Sequence, residues 1–145
     1  IYEYKILIRR ARLTLHKNRY WHLNTIQNIQ KMKAGASFLI GTHDFTTFRS
    51  SICQANSPVK TLDRISISRS NIANEQLICM EFKARSFLHN QVRSLVGSLE
   101  KVGSNRWAPE HIRFILESKD RNNCGPIAPP HGLYLKEIKY ENQIF

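Results

Sequence analysis

The sequence has little cysteine, no long apolar run and few acidic residues. Cys53, Cys79 and Cys124 lie far apart and form no CxxC pair, so a zinc-binding or disulfide-stabilised domain is not indicated, and we expect reduced, partly buried thiols and no metal. No run reaches the roughly 18 apolar residues of a membrane-spanning helix, and the first residues do not resemble a signal peptide. We therefore expect a cytoplasmic protein without membrane contact.

The shortage of acidic residues leaves a strong excess of positive charge. Against 11 Asp and Glu stand 22 Lys and Arg, which gives a formal net charge of +11. Such an excess favours a polyanionic partner, most simply nucleic acid, over a neutral small substrate. The basic residues are spread along the chain and not collected in a tail, which favours a folded basic surface.

Length and composition bound the domain organisation. A chain of 145 residues that is 41% hydrophobic can bury one core, so we expect a single domain over residues 1–145, or half of a larger protein. The chain starts at Ile1 and enters a strand-like pattern at once, so we expect that a further segment precedes it.

The clearest periodic stretch is Phe87–Gly103. Its apolar residues recur at the spacing of one helical face, at Leu88, Val92, Leu95, Val96, Leu99 and Val102. The pattern predicts a core helix that ends at its final glycine. On that helix His89, Arg93 and Gly97 would form a row at the border of the apolar face. Arg93 would then either point its head into solvent or pair with a carboxylate or phosphate in a cleft, and no local acid supplies that partner.

The remaining pattern predicts a small set of further elements. Alternation predicts strands at Tyr2–Ile8, Lys60–Ser68, Glu75–Ala84 and Gly132–Tyr140, and helical periodicity predicts helices from Asn24 or Thr25 to about Ile40 and from about Ala108 onward. Residues 9–23 are irregular enough for a loop or a short strand, and we predict loops at 41–62 and 119–130. The two middle strands should form a hairpin. This order predicts an α+β fold with an antiparallel or mixed sheet and helices packed on one face.

One predicted loop concentrates residues suited to binding. His43, Asp44, Phe45, Phe48 and Arg49 fall within seven positions of it. Loops that expose aromatic side chains beside charges are typical ligand-binding elements. Because an adjacent His–Asp pair rarely forms a working catalytic dyad, we favour contact of Arg49 with nucleic acid, with the phenylalanines anchoring the loop, over catalysis by His43.

Five separated blocks of the sequence resemble one family. The blocks YEYKI, GTHDFTTFR with CQANSPVKTL, SFLHNQVRSLVGSLEKVG, KDR and APPHGLYL follow in the order found in the C-terminal half of the tRNA pseudouridine synthase A family, over nearly the whole chain. The resemblance implies one half of a two-half α+β fold whose sheets join across a basic cleft. It also implies a homodimer that isomerises uridine to pseudouridine in the anticodon stem-loop of tRNA, with no cofactor and no metal.

The resemblance further implies roles for single residues. Arg93 would be the arginine that pairs with the catalytic aspartate, and Tyr2 the tyrosine that stacks on the target base or acts near it in proton transfer. Leu133 would be the hydrophobic residue beneath that base. The substrate-binding set that we predict beside Leu133 comprises His43, Asp44, Phe45, Phe48, Arg49 and His89.

The chain departs from the family pattern at one essential position. The catalytic aspartate of the family lies in its N-terminal half, in a block similar to GRTDxGVHA, which is absent from this sequence. Asp44, Asp63 and Asp120 stand in other contexts, and Asp120 is best interpreted as a turn cap. We therefore expect a synthase as the full-length protein and an inactive chain in isolation. Two alternatives stay open: a non-catalytic RNA-binding or dimerisation module, and a nuclease using His43 and His89, which no spacing supports.

Overall fold

The fold is described by a computed structural model over residues 1–8, 19–50, 57–72 and 75–136. Within these ranges lie six strands, β1 Tyr2–Ile8, β2 Trp21–Leu23, β3 Gly41–Asp44, β4 Val59–Ile72, β5 Glu75–Ala84 and β6 Leu133–Leu135. The same ranges contain three α-helices, α1 Ile29–Ser37, α2 Gln91–Gly103 and α3 Glu110–Ser118. Single 3₁₀ turns lie at Thr46–Phe48, Arg121–Asn123 and Pro130–Gly132. None of the described helices is both long and apolar enough to traverse a lipid bilayer.

The six strands form one mixed sheet. Its order is β2-β1-β5-β4-β3, and β6 pairs with the part of β1 that β2 leaves unpaired. Only β1 and β2 run parallel; the other pairs are antiparallel, including the predicted hairpin of β4 and β5. The prediction of an α+β fold with an antiparallel or mixed sheet is confirmed.

The two faces of the sheet differ in chemistry. On one face Tyr4, Ile6, Met80 and Phe82 are buried in a core cluster to which all three helices contribute side chains. The period of two along each strand places charged residues on the opposite face, where Lys136 pairs with Glu3 and Glu81. Arg64 and Lys5 extend this ionic network. The predicted packing of helices on one face of the sheet is therefore confirmed.

Helix α2 starts later than its pattern predicted. The predicted start at Phe87 is wrong, because Asn90 adopts a left-handed backbone conformation with φ of 61° and the helix begins at Gln91. Asparagine tolerates this conformation better than most residues. The Gln91 side chain also accepts a hydrogen bond from Leu88 N at 2.8 Å, which satisfies a backbone donor ahead of the helix. As a consequence His89 is not on the helix, and the predicted row with Arg93 and Gly97 loses its first member.

Helix α1 is shorter than predicted at both ends. The predicted cap at Asn24 or Thr25 is wrong, because the Asn28 side chain accepts from Lys31 N at 3.0 Å and caps a helix that begins at Ile29. Gly41 does not terminate the helix, which ends at Ser37; with φ of 101°, that glycine opens β3 instead. A φ of this sign suits glycine and few other residues.

The long loop predicted at 41–62 is only partly a loop. Strand β3 occupies its first four residues and pairs with β4, Thr42 lying opposite Thr61, so that part of the prediction is wrong. Residues 51–56, which include Cys53, lie outside the described residues. The loop predicted at 119–130 contains a short turn that Asp120 caps by accepting from Asn122 N at 2.9 Å, as predicted.

The last two predicted elements are close to those observed. Helix α3 begins at Glu110, and Ile112, Ile115 and Leu116 are buried as expected. The final strand was predicted to extend to Tyr140; β6 covers Leu133–Leu135, and residues 137–140 lie outside the described residues.

Candidate active site

A cavity of about 350 Å³ lies where the start of α2 meets the first residue of β1 and the start of β6. Its walls include four of the predicted site residues, Tyr2, His89, Arg93 and Leu133. They come from three elements and one connecting turn, and Tyr2 and Leu133 are far in the sequence from each other and from His89 and Arg93. The fold therefore gathers the predicted arginine, tyrosine and leucine in one place.

Strand pairing sets the two apolar walls of the cavity. Tyr2 lies opposite Leu135, and Tyr4 lies opposite Leu133. Residues opposite each other in an antiparallel pair share a face, so Tyr2 and Leu133 are diagonal neighbours on the core side. The Tyr2 ring also meets Phe87 edge to face, with centroids 5.1 Å apart and planes at 83°. Both rings are partly buried, so a flat ligand would find an apolar surface already formed.

Arg93 is the cation of the cavity. Its Nε donates to Ala128 O at 2.7 Å and its Nη1 donates to Asn90 Oδ1 at 3.2 Å. Both acceptors are neutral, and among the described residues no carboxylate lies within ion-pair distance of this guanidinium. The side chain is half-buried. It therefore presents an orientated positive charge, with remaining N–H donors that suit a carboxylate or phosphate.

The charge of Arg93 also acts on the core beneath it. Burial raises the pKa of the Tyr4 hydroxyl, and the nearby Arg93 opposes that rise. The hydroxyl donates to Pro129 O at 2.6 Å. Tyr4 thus stays neutral and hydrogen-bonded next to the cavity floor.

His89 is exposed at the rim of the cavity, in the turn before α2. Its carbonyl oxygen accepts from Ser50 N at 3.1 Å. This bond attaches the segment that carries Arg49 to the turn at the cavity rim. Arg49 is partly buried there, and its role in substrate binding stays a prediction.

His43 and Asp44 lie in β3 and line a second cavity of about 310 Å³ together with Arg113 and Lys119. His43 Nε2 donates to Ile40 O at 2.8 Å. The structure does not bring these two residues to the Arg93 cavity, and their substrate role also stays a prediction.

The Asp44 carboxylate is held by its own turn. Oδ1 accepts from the backbone N of Thr46 at 2.9 Å and from the Thr46 hydroxyl at 2.5 Å. Partial burial would raise the pKa of Asp44, but these hydrogen bonds, with Lys119 and Arg49 nearby, outweigh it and hold the pKa below its usual value. Asp44 is therefore ionised at neutral pH and satisfied locally.

Phe45 and Phe48 differ from the exposed aromatics expected of a binding loop. Both side chains are fully buried in the core, with ring centroids 6.4 Å apart. The expectation of exposure is wrong, since the turn between them folds inward beneath α2 and α3. Any effect of these rings on substrate would act through the position of Arg49, and the anchoring role predicted for them agrees with their burial.

Sequence reasoning missed three groups at the cavity. Asn90 and Gln91 shape the start of α2, and the carbonyl of Ala128 orients Arg93. A short polar pair placed just before the helical arginine was a usable signal for the first two. A backbone carbonyl 35 residues away leaves no trace in the side-chain pattern.

The described residues include neither a metal-binding cluster nor a reactive thiol at this site. Within the described parts of the chain, no group of three or more His, Cys, Asp and Glu could hold a metal ion. Cys79 and Cys124 are free and partly buried, and burial raises the pKa of both thiols. These two thiols therefore stay protonated near neutral pH.

Comparison with known proteins gives a consistent result. A family model described as tRNA pseudouridine synthase matches residues 36–141. Proteins named tRNA pseudouridine synthase A are similar over nearly the whole chain: 49% identity in Ruegeria sp. (strain TM1040), covering 99% of this chain and 56% of the relative, and 48% in Paracoccus denitrificans, covering 99% and 55%. The relative in Allorhizobium ampelinum is 48% identical over 96% of this chain and 52% of its own length. The chain thus spans about half the length of these curated relatives, and it belongs to the tRNA pseudouridine synthase family.

Proposed function

We propose that the full-length protein is a tRNA pseudouridine synthase that isomerises uridine in the anticodon stem-loop, and that this chain forms one wall of its active site. The observation that carries the proposal is the cavity in which Arg93, Tyr2 and Leu133 converge from separate elements. The family match and the net charge of +11 support tRNA as the substrate.

The reaction explains why Arg93 needs an acidic partner. The glycosidic C–N bond of uridine breaks, the base turns, and a C–C bond forms to the same sugar, so that the product is an isomer and no co-reactant is consumed. A carboxylate that acts as nucleophile or electrostatic partner must stay ionised in a closed site. A guanidinium beside it lowers an aspartate pKa by about 1 to 3 units. Arg93 is held in one orientation, and no carboxylate among the described residues pairs with its charge, as this role requires.

The apolar walls suit the detached base. A base that leaves its stack can recover about 1 to 3 kcal/mol by stacking on an aromatic ring. Tyr2 offers that ring, propped by Phe87, and Leu133 offers a floor. In this proposal Tyr2, which lines the cavity, also takes part in proton transfer at the reacting base.

The catalytic aspartate belongs, in this proposal, to the N-terminal half of the protein. The relatives are nearly twice as long as this chain, and no block similar to GRTDxGVHA occurs in it. Residues 1–145 would then form the C-terminal domain of a cytoplasmic homodimer that needs no cofactor. The isolated domain would bind RNA without modifying it, which is the role of the alternative RNA-binding or dimerisation module.

Substitution of Arg93 in the full-length protein tests the proposal. We expect Arg93→Ala and Arg93→Lys to lower turnover by about 10²- to 10³-fold, as loss of a key electrostatic partner does, while tRNA affinity stays largely unchanged. Tritium release from tRNA labelled at uridine C5 measures turnover, and filter binding measures affinity.

Arg106→Ala is the matched control. Arg106 is an exposed arginine in the connection between α2 and α3, so its removal subtracts the same charge without touching the cavity. Its turnover at saturating tRNA should equal that of the wild type. Near-normal turnover of Arg93→Ala would refute the pairing role.

A further inference from the structure

We propose that residues 121–132, which we call the docked segment, fix the guanidinium of Arg93 for the reaction, and that Tyr4 is the positioning residue that holds this segment in place. The inference rests on the proposed function, because the expected effect is on the step in which Arg93 takes part. Tyr4 itself is fully buried, so it would not touch substrate or reacting atoms directly.

Ala128 of the docked segment forms two hydrogen bonds with Arg93. Ala128 N donates to Arg93 O at 3.1 Å, and Ala128 O accepts from Arg93 Nε at 2.7 Å. The first bond ties the segment to the backbone of α2, and the second selects the side-chain rotamer. A free arginine side chain has several rotatable bonds, and ordering them costs conformational entropy. Ala128 therefore orients the guanidinium before a carboxylate pairs with it.

Two glycines allow this close approach of backbones. A Cβ atom at Gly97 of α2 would lie 1.6 Å from Pro126 O, a distance that no structure permits. A Cβ atom at Gly125 would lie 2.9 Å from the Cα of Ser98, whose hydroxyl accepts from Gly125 N at 3.0 Å. The segment therefore packs directly against α2. The absence of a side chain at Gly97 and Gly125 permits this short distance between the two backbones.

Arg121 attaches the start of the docked segment. Its Nη1 donates to Ser94 Oγ at 2.9 Å and to Thr47 O at 3.2 Å. The bond to Ser94 holds the segment against α2 next to Arg93, and the bond to Thr47 ties it to the turn that carries Phe48. Both ends of the docked segment are consequently fixed, one by Arg121 and the other by strand β6.

Tyr4 fixes the middle of the segment from the sheet side. Its hydroxyl donates to Pro129 O, the carbonyl next to the one that orients Arg93. A Cβ atom at Gly132 would come within 2.7 Å of Tyr4 Cζ, so the ring also supports the end of the segment directly before Leu133. The influence of Arg93 on the Tyr4 pKa agrees with this proximity. Loss of the hydroxyl would free Ala128 and Pro129 to shift.

A small shift at this place has a large chemical consequence. Catalytic groups held away from their reactive geometry by about 1 Å can lose about 10²-fold in rate. A displaced guanidinium would also stabilise the ionised aspartate less, and the pKa of that aspartate would rise. Tyr4 would thus affect turnover and its pH dependence, but not the capture of tRNA.

Tyr4→Phe in the full-length enzyme tests the inference. This variant keeps the buried ring and removes only the bond to Pro129. We expect kcat to fall by about tenfold or more, KM for tRNA to stay close to the wild-type value, and the acidic limb of the kcat/KM profile to move to higher pH. Gly97→Ala would displace Pro126 from the α2 side of the docked segment. If this variant folds, its kcat, KM and pH profile should change in the same way.

Two controls separate positioning from stability. Gly35→Ala places a Cβ atom on α1 at 3.2 Å from a movable side-chain atom of Ile112, so its kcat should match the wild type. Ile78→Val shortens a fully buried side chain of β5 and lowers stability without removing any hydrogen bond to the docked segment, so it should leave the pH profile unchanged. Melting temperatures of all variants are measured alongside.

Each outcome decides the inference. It is overturned if kcat of Tyr4→Phe stays within about twofold of the wild type, or if its acidic limb does not move and its loss of activity equals that of an equally destabilised Ile78→Val. A wild-type protein that forms no pseudouridine would overturn the proposed function itself. An active wild type with unaffected Tyr4→Phe would overturn the positioning role alone.

Discussion

At the scale of single residues, Arg93 and Asp44 carry opposite charges in half-buried positions. Their hydrogen-bond partners indicate that the two residues have different roles. Asp44 receives two hydrogen bonds from Thr46 in its own turn. Arg93 donates no hydrogen bond to an acid within the described residues and is held by the neutral acceptors Ala128 O and Asn90 Oδ1. A charge satisfied locally supports a turn, whereas an orientated and uncompensated charge is available to a ligand.

Asp44 leads to a stability prediction. We expect Asp44→Ala to lower the free energy of unfolding by about 1 kcal/mol at pH 7, as loss of an intramolecular hydrogen-bond acceptor does. Because folding lowers the pKa of Asp44, its contribution is present above the unfolded pKa of about 3.9 and is lost as pH falls through the folded pKa. Urea denaturation at pH 7 and near pH 3 measures the difference.

Asp44→Asn is the companion variant, since its amide oxygen can still accept from Thr46. It should retain most of the stability at pH 7. An Asp44→Ala deficit that stays constant down to pH 3 would contradict the role of the ionised carboxylate.

The side chains of the site were predictable to different degrees. Periodicity placed Arg93 at the border of a core helix, and resemblance selected Tyr2 and Leu133; all three line the cavity. Their contacts were not predictable, because Ala128 acts through its carbonyl and Asn90 through an unusual φ. Backbone groups are the same at every position, so the residue type does not predict which carbonyl will orient a side chain.

At the scale of elements, α2 is enclosed on most sides. Besides its apolar stripe, the polar residues Gln91, Ser94, Ser98 and Glu100 are buried. The stripe faces the core shared with α1 and the sheet, while Ser94 and Ser98 face the docked segment. A helix fixed from several directions is a rigid support for the arginine in its first turn.

Truncation of the α2 core tests that enclosure. We expect Leu99→Ala in the full-length protein to lower the free energy of unfolding by about 2 to 5 kcal/mol, because Leu99 is fully buried and the neighbouring helices relax only partly into the cavity. Arg106→Ala, at an exposed position after the helix, should change it by less than about 0.5 kcal/mol. Urea denaturation compares them, and equal costs would show that α2 does not organise the core.

Element bounds followed the sequence where hydrophobic periodicity decided them. Strand β5 and the buried face of α3 have the predicted residues. The starts of α1 and α2 did not follow it, since the Asn28 cap and the left-handed Asn90 override the apolar pattern. Strand β3 was missed because four residues with threonine and histidine on a polar background carry no strand signal until β4 pairs with them.

At the scale of the whole molecule, acids and bases are distributed unevenly. On the face of the sheet away from the helices, Glu3 and Glu81 are engaged with Lys5, Arg64 and Lys136. These two acids and three bases sum to a charge of +1, so +10 of the formal net charge of +11 belongs to the rest of the chain. That excess extends the basic character beyond the Arg93 cavity.

The charge excess predicts a steep salt dependence of tRNA binding. Each phosphate contact releases condensed counterions, so log K should fall with log[salt] by about 0.7 to 0.9 per phosphate engaged. Affinity of the full-length protein for tRNA, measured by filter binding from low to moderate salt, should give a slope of several units. A salt-insensitive affinity would contradict a binding surface built on phosphate contacts.

The bond from Tyr4 to Pro129 joins residues 125 positions apart, and this separation orders events during synthesis. At about 5 to 20 residues per second, the ribosome delivers the docked segment on the order of 10 s after β1. The hairpin of β4 and β5 and the helices have partners nearby in the sequence and can form in that interval. The cavity cannot form until Pro130 and Leu133, which line its other side, have been synthesised. Contacts between residues far apart in the sequence form slowly, so we expect the Arg93 cavity to be the last part of the described domain to assemble.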